Sequence, residues 1–328
     1  MSSETRSAGP LVALCGGIGG AKLALGLYRS LGPGRLTVVV NTGDDFEHLG
    51  LHISPDLDTV LYTLSGLNNP DTGWGRAGET WNFMAALEEL GGETWFQVGD
   101  KDLALHVERT RRLRAGEPLS RITADFADRF GLEARILPMS EDPLRTVVHT
   151  RDGPLPFQHY FVRARCEPAV TGMGFEGAES ARPQPNVVEA LADPALQAVV
   201  ICPSNPYLSI DPILAVPGLR AALATCPAPV IAVSPLVGGR AIKGPTAKIM
   251  GELGIAATPR SIRAHYVGLL DGFVLDVEDA RIAGPFDLPT LTAQTIMRTL
   301  EDRERLAQAI LDFARDLAAR KNQRRASS

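Results

Sequence analysis

LVALCGGIGGAKLALGLYRSL, residues 11–31, decides how the fold is read. Leu11–Cys15 is apolar, Gly16-Gly17-Ile18-Gly19-Gly20 follows, and Ala21–Leu31 carries apolar residues at helical spacing. An apolar run too short for a helix, a glycine turn and an amphipathic helix make a strand–turn–helix unit. Leu36–Val40 (LTVVV) repeats the buried-strand signal and ends in Asn41-Thr42-Gly43-Asp44-Asp45. Both faces of such strands must be covered, which calls for a parallel sheet between helices.

Working outward, Ser54-Pro55-Asp56 opens a helix with Leu57, Val60, Leu61 and Leu64 on one face, because proline and early acids suit a first turn. Thr80–Leu90 and Leu103–Leu113 have helical spacing, the latter with many arginines, and Thr94–Val98 reads as a strand ending in Gly99-Asp100-Lys101-Asp102. Ser120 is placed to cap a helix over 121–130. Arg135–Pro138, Thr146–Thr150 and Phe157–Val162 read as short strands, and the glycine- and proline-rich 170–185 as loop. Alternation then resumes with strands at Ala198–Cys202, Val230–Val233 and Phe273–Leu275, a helix over 245–253 and a helical tail over 292–320. The expected fold is therefore α/β: a Rossmann-like, doubly wound, mostly parallel sheet with an inserted α+β cap region. Residues 1–101 and 186–328 would form the nucleotide-binding core, and 102–185 the inserted cap or substrate region.

Bulk properties narrow the partners. A formal net charge of −5 argues against a nucleic-acid-binding surface. No apolar run approaches the ~20 residues of a membrane span. The polar start MSSETRSAGP lacks a signal-peptide core, so a cytoplasmic enzyme is expected. Cys15, Cys166, Cys202 and Cys226 are not at CxxC spacing; Cys15 and Cys202 end apolar runs and read as core fillers.

In a doubly wound sheet, ligands bind beyond the carboxyl ends of the strands. Gly16, Gly17, Gly19 and Gly20 stand at the first such end, where backbone N–H groups and a helix N-terminus can approach a phosphate; they also suit a plain tight turn. Asn41, Asp44 and Asp45 stand at the second, with Asp56 and Asp58 downstream. Such carboxylates suit Mg²⁺, although Asp56 would also serve as a helix-start acid. Lys101 follows another end, and Ser204-Asn205 the next. The loop Ser234-Pro235-Leu236-Val237-Gly238-Gly239, with Lys243-Gly244, offers backbone donors and a cation to a nucleotide. Trp74 and Trp81 could stack on a planar ring or pack as a lid. The glycine spacing matches neither a Walker loop nor GxGxxG, which argues against a dinucleotide-dependent dehydrogenase.

Seven pieces, in order, carry a resemblance: GGIGGAK (16–22), VVVNTGDDFEHLGLHISPDLDTVLYTL (38–64), GETWNF (78–83), VGDKDLALH (98–106), ILPMSEDP (136–143), CPSNPYLSI (202–210) and SPLVGGRAIKGP (234–245). Together they resemble the 2-phospho-L-lactate transferases of deazaflavin coenzyme biosynthesis. The resemblance implies a Rossmann-like, commonly dimeric, Mg²⁺-dependent enzyme. In that reaction the terminal hydroxyl of the deazaflavin alcohol Fo attacks the phosphorus bearing an acid, and GMP leaves. The acid is 2-phospho-L-lactate, phosphoenolpyruvate or 3-phosphoglycerate, and the product is the core of coenzyme F420. The chemistry of such a transfer suits Asp44 and Asp58 to the metal or the hydroxyl, with Asp45 in reserve, and by family position Asp58 and Lys101 would also touch Fo. The glycine loop, Ser204, Asn205 and the 234–245 loop hold the GDP-linked donor. Many family members have Arg where this chain has Lys101; lysine keeps the charge but loses the planar fork. A related family with the same glycine loop binds nucleotide sugars without turnover, which gives the alternative of a non-enzymatic regulator.

Overall fold

A computed structural model describes residues 9–242 and 244–326. Its spine is a seven-stranded sheet in which every neighbouring pair is parallel. The spatial order is Thr290–Ala293, Gly272–Asp276, Val230–Val233, Ala198–Ile201, β1 (Leu11–Cys15), β2 (Leu36–Val40) and Arg135–Pro138. Chain order therefore reverses between β1 and Ala198–Ile201, which is the topological switch point where such sheets open a crevice.

The predicted strand runs are buried on both faces, as parallel strands between helices must be. On one side α1 (Gly17–Ser30), α2 (Pro55–Ser65), the helix Leu119–Arg129 and the C-terminal helix Leu300–Ala326 pack through residues such as Leu23, Leu27, Leu61 and Ile310. On the other side Leu208, Ile213, Leu219 and Ile262 close the core. The C-terminal helix crosses α1 so closely that a Cβ on Gly26 would overlap the Arg303 carbonyl. Cys15 and Cys202 are buried in this core, as expected.

Four local expectations are corrected. Thr94–Val98 is not a strand; its Trp95 and Phe96 rings pack around Phe46 and His48 instead of pairing with a neighbour. Phe157–Val162 is helical, running into a π-turn over His159–Arg163, which lets Phe157 and Phe161 stack at 5.2 Å. Val170–Glu176 is a strand rather than a loop: it pairs with Arg145–Thr150, and its glycines at 172 and 174 leave room for the His149 ring opposite. The tail is not one helix, because Thr290–Ala293 joins the sheet edge before Leu300–Ala326 begins.

The segment 102–185 contributes to the main sheet as well as to the smaller one. Its strand Arg135–Pro138 pairs with β2 in the main sheet, and Leu119–Arg129 packs on the main core. Arg145–Thr150, Gly153–Pro156 and Val170–Glu176 form a separate antiparallel sheet, whose Val148 and Val170 join the core beneath the main sheet.

Candidate active site

A cavity of about 730 Å³ opens at the switch point. Its floor is the glycine loop. Ser204 Oγ donates to the Gly16 carbonyl at 2.8 Å and accepts from the Gly16 N–H at 3.2 Å, tying the ends of the two central strands together. Gly17 adopts φ +64, and its N–H donates to Asp56 Oδ1 at 2.6 Å. A Cβ on Gly16 would overlap the Asp56 carboxylate, and one on Gly20 would overlap Ser204 Oγ, so close approach demands glycine at both. Gly16, Gly17 and Gly19 line the cavity, whereas Gly20 faces Ser204 and Cys15.

Four carboxylates line the same cavity: Asp44, Asp56, Asp58 and Asp102. Burial raises the Asp44 carboxyl well above its ordinary range, and the Asp56 charge raises it further. Asp44 Oδ1 is buried without a hydrogen-bond partner. Burial also pushes Asp56 up to about 6, against hydrogen bonds from Asn41 and Gly17 that lower it. Asn41 is fully buried; its Nδ2 donates to Asp56 Oδ2 at 2.9 Å and its Oδ1 accepts from Gly43 N–H at 2.8 Å. It orders the acidic loop without lining the cavity. Asp45 turns away: its Oδ2 takes hydrogen bonds from Ser54 Oγ at 2.8 Å and pairs with His52 Nε2 at 3.1 Å.

Asp58 has a different partner. Arg109, 1% exposed, reaches it from α4 (Asp100–Arg114) with both terminal nitrogens, Nη1 to Oδ2 at 3.1 Å and Nη2 to Oδ1. Burial raises the Asp58 carboxyl, and Arg109 then His106 pull it back only in part. The network continues through His106 Nε2 to Asp102 Oδ2 at 3.3 Å and Tyr62 Oη to Asp102 Oδ1 at 2.6 Å. Burial pushes Asp102 up, but His106, Tyr62 and Arg109 together bring it below the ordinary carboxylate range. Asp58, Asp102 and His106 offer ligand atoms close enough to hold a cation, but the Arg109 guanidinium already neutralises Asp58.

Aromatic residues also line the cavity: Trp74, Phe96, Phe157 and Phe161, with Trp74 46% exposed. Asn205, Ser234, Pro235 and Gly244 line the same cavity. Asn205 Oδ1 accepts from the Tyr207 and Leu208 N–H groups, while its buried Nδ2 has no partner. Gly238 and Gly239 make the turn between Leu236–Val237 and Arg240–Ala241 and do not line the cavity. Lys243 lies outside the described residues.

A family model described as 2-phospho-L-lactate transferase CofD matches residues 11–284. The chain belongs to the CofD family. It is 39% identical over 305 residues to a Kitasatospora aureofaciens protein named phosphoenolpyruvate transferase, covering 91% of this chain and 94% of that one. A Streptomyces coelicolor protein of the same name is 42% identical over 276 residues, covering 82% and 86%. In fold the chain resembles a UPF0052 family protein from Bacillus halodurans, with TM-score 0.61 and 16% identity over 93% of this chain and 99% of that one.

Two of the CofD-like motifs prove to be one structural device. Asp100 accepts from Thr80 Oγ1 at 2.5 Å and from Asn82 and Phe83 N–H at 3.1 and 3.0 Å, capping α3 (Asn82–Glu89). Glu79 returns the favour, accepting from Lys101 and Asp102 N–H at 2.7 and 3.0 Å at the start of α4. GETWNF and VGDKD thus cap each other's helices. Lys101 itself is exposed, donates to the Ala77 carbonyl at 3.3 Å and does not line the cavity, nor does Trp81. Arg109 was missed by sequence reasoning, although Asp102, His106 and Arg109 recur at helical spacing on the face that carries Leu105. Asp56, which its place at a helix start suits to capping, sits against the glycine loop instead.

Proposed function

We propose that this CofD-family transferase moves an enolpyruvyl phosphoacid from a guanosine-diphosphate-linked donor to the terminal hydroxyl of the deazaflavin alcohol Fo, releasing GMP. One observation carries the reading. A glycine loop suited to a diphosphate, a buried carboxylate cluster and aromatic residues suited to a planar ring all line one cavity. The names of the Kitasatospora and Streptomyces relatives favour phosphoenolpyruvate as the acid.

The acceptor oxygen forms a bond to the acid-bearing phosphorus while the bond from that phosphorus to the GMP oxygen breaks. The hydroxyl proton leaves with GMP, accepted by the phosphate oxygen that the broken bond frees. Positioning and charge neutralisation are the main demands of such a transfer. The residues fit a magnesium ion: Asp44 has a buried, unpartnered oxygen, and the Asp56 charge nearby raises its proton affinity further. Asp44 with Asp56 would hold it, since Arg109 occupies both Asp58 oxygens and Asp45 faces away from the cavity. When bound, the cation neutralises charge on the diphosphate. Asp58 then serves to orient its surroundings.

The test supplies Fo and the three GDP-linked acids in competition, with GMP and the phosphodiester product read by mass. Enolpyruvyl transfer should dominate, and Asp44→Asn should abolish turnover in a folded protein. GDP binding with no GMP released from any donor would leave a nucleotide-binding regulator instead.

A further inference from the structure

The matched family region ends at residue 284, but the cavity wall does not. Thr295–Arg298, between the edge strand and the C-terminal helix, lines the cavity beside α1. Three anchors fix this stretch. Asp276 Oδ2 accepts from Thr295 N–H at 2.7 Å and from its Oγ1 at 2.9 Å. Lys22 Nζ donates to the Met297 carbonyl at 3.2 Å. Asp302 Oδ2 accepts from Arg298 and Thr299 N–H at 3.1 and 3.0 Å, and Asp302 N–H donates to Thr299 Oγ1 at 3.2 Å, a reciprocal cap on the C-terminal helix.

The backbone at 298 is therefore set, and Arg298 lines the cavity as an exposed residue. Among the described residues no carboxylate lies within ion-pair distance of its guanidinium. The charge pattern gives that side chain a task. Four aspartates line the cavity, while Lys22 and Arg298 are its only lysine and arginine among the described residues. A donor carrying a diphosphate and a carboxylate brings further negative charge into this acidic space. Arg298 offers a planar fork that matches two oxygens of one anionic group.

We propose that Arg298, with Lys22 beside it, forms the subsite for an anionic group of the donor, a phosphate or the acid's carboxylate. This rests on the transferase reading above. The experiment measures GDP and GMP binding by calorimetry, and KM and kcat with the GDP-linked acid, for the full chain and for Arg298→Ala and Arg298→Lys. Loss of one charge-assisted fork should weaken binding about 10- to 100-fold, flatten its salt dependence and leave the melting temperature in place, with Arg298→Lys recovering part. A larger loss for GDP than for GMP assigns the outer phosphate, and an equal loss assigns the inner one. A raised donor KM with GDP binding unchanged assigns the carboxylate. Ligand affinities and donor KM within twofold of the parent protein, or a parent protein that binds neither nucleotide, overturn the proposal. A parent protein that binds GDP but transfers nothing refutes the transferase reading while the Arg298 comparison on GDP still stands.

Discussion

Replacing Arg109 with methionine should expose how the Asp58 side of the cavity is held. Methionine keeps much of the stem's packing and removes the charge. The change leaves Asp58, itself buried, without the two hydrogen bonds that bind α4 to α2. Breaking a buried pair from one side costs about 3–5 kcal/mol, or about 4–7 °C in melting temperature for a chain of 328 residues. The pH dependence separates charge from volume. Burial already raises the Asp58 carboxyl, and Arg109 limits the rise. Without Arg109 the native carboxyl holds its proton to a still higher pH than in the unfolded chain. A native pKa above the unfolded one means stability is greatest below the unfolded value and falls as pH climbs through the native one. The deficit of Arg109→Met should therefore be small near pH 5 and grow toward pH 8. Adding Asp58→Asn should relieve it at pH 8. Differential scanning calorimetry of the single and double variants across that range is the assay. A deficit that does not change with pH, with no relief from Asp58→Asn, would show that Arg109 contributes volume alone and would refute the pairing argument.

Magnesium should stabilise the protein by about 2.7 kcal/mol at a hundredfold excess over its dissociation constant, roughly 4 °C, at pH 8. That shift should fall to about half or less at pH 5, because Asp56, pushed up to about 6, and Asp44, also raised, then carry protons; equal shifts at both pH values would remove the carboxylate seat. Asp100→Ala should speed amide exchange in the first turn of α3 while leaving the central strands protected, since Asp100 accepts the Asn82 and Phe83 N–H bonds there. Unchanged exchange in that turn would show that the cap is dispensable. The Asp100 carboxyl is lowered to about 2, chiefly by the Thr80 hydroxyl. The cap should therefore persist from neutral pH down through the ordinary carboxylate range and be lost only as pH falls toward 2.

The sheet was legible because parallel strands are apolar on both faces, so LVALC, LTVVV, AVVI and VIAV stand out as short runs between glycine or proline turns. The cap was not, for two opposite reasons. TWFQV has a strand's composition, but its aromatic rings close over Phe46 and His48. VTGMGFE has a loop's composition, but its glycines make room for His149 across a strand pair. The site divides along a similar line. Residues at strand ends, such as Asp44 and the glycine loop, could be placed because topology alone sends them to the crevice. Residues brought from helices could not: an arginine in DLALHVERTRRLR reads as solvated surface unless the face it shares with Leu105 and His106 is known to be inward. The same limit explains Lys101, whose motif was informative although the side chain stays outside the cavity. VGDKD is needed because Asp100 and the Lys101 and Asp102 N–H groups complete a reciprocal cap. That cap fixes the first turn of α4, and through it the register of Asp102, His106 and Arg109 against Asp58. A motif can thus be tied to a site through backbone positioning, with its most conspicuous side chain left in solvent.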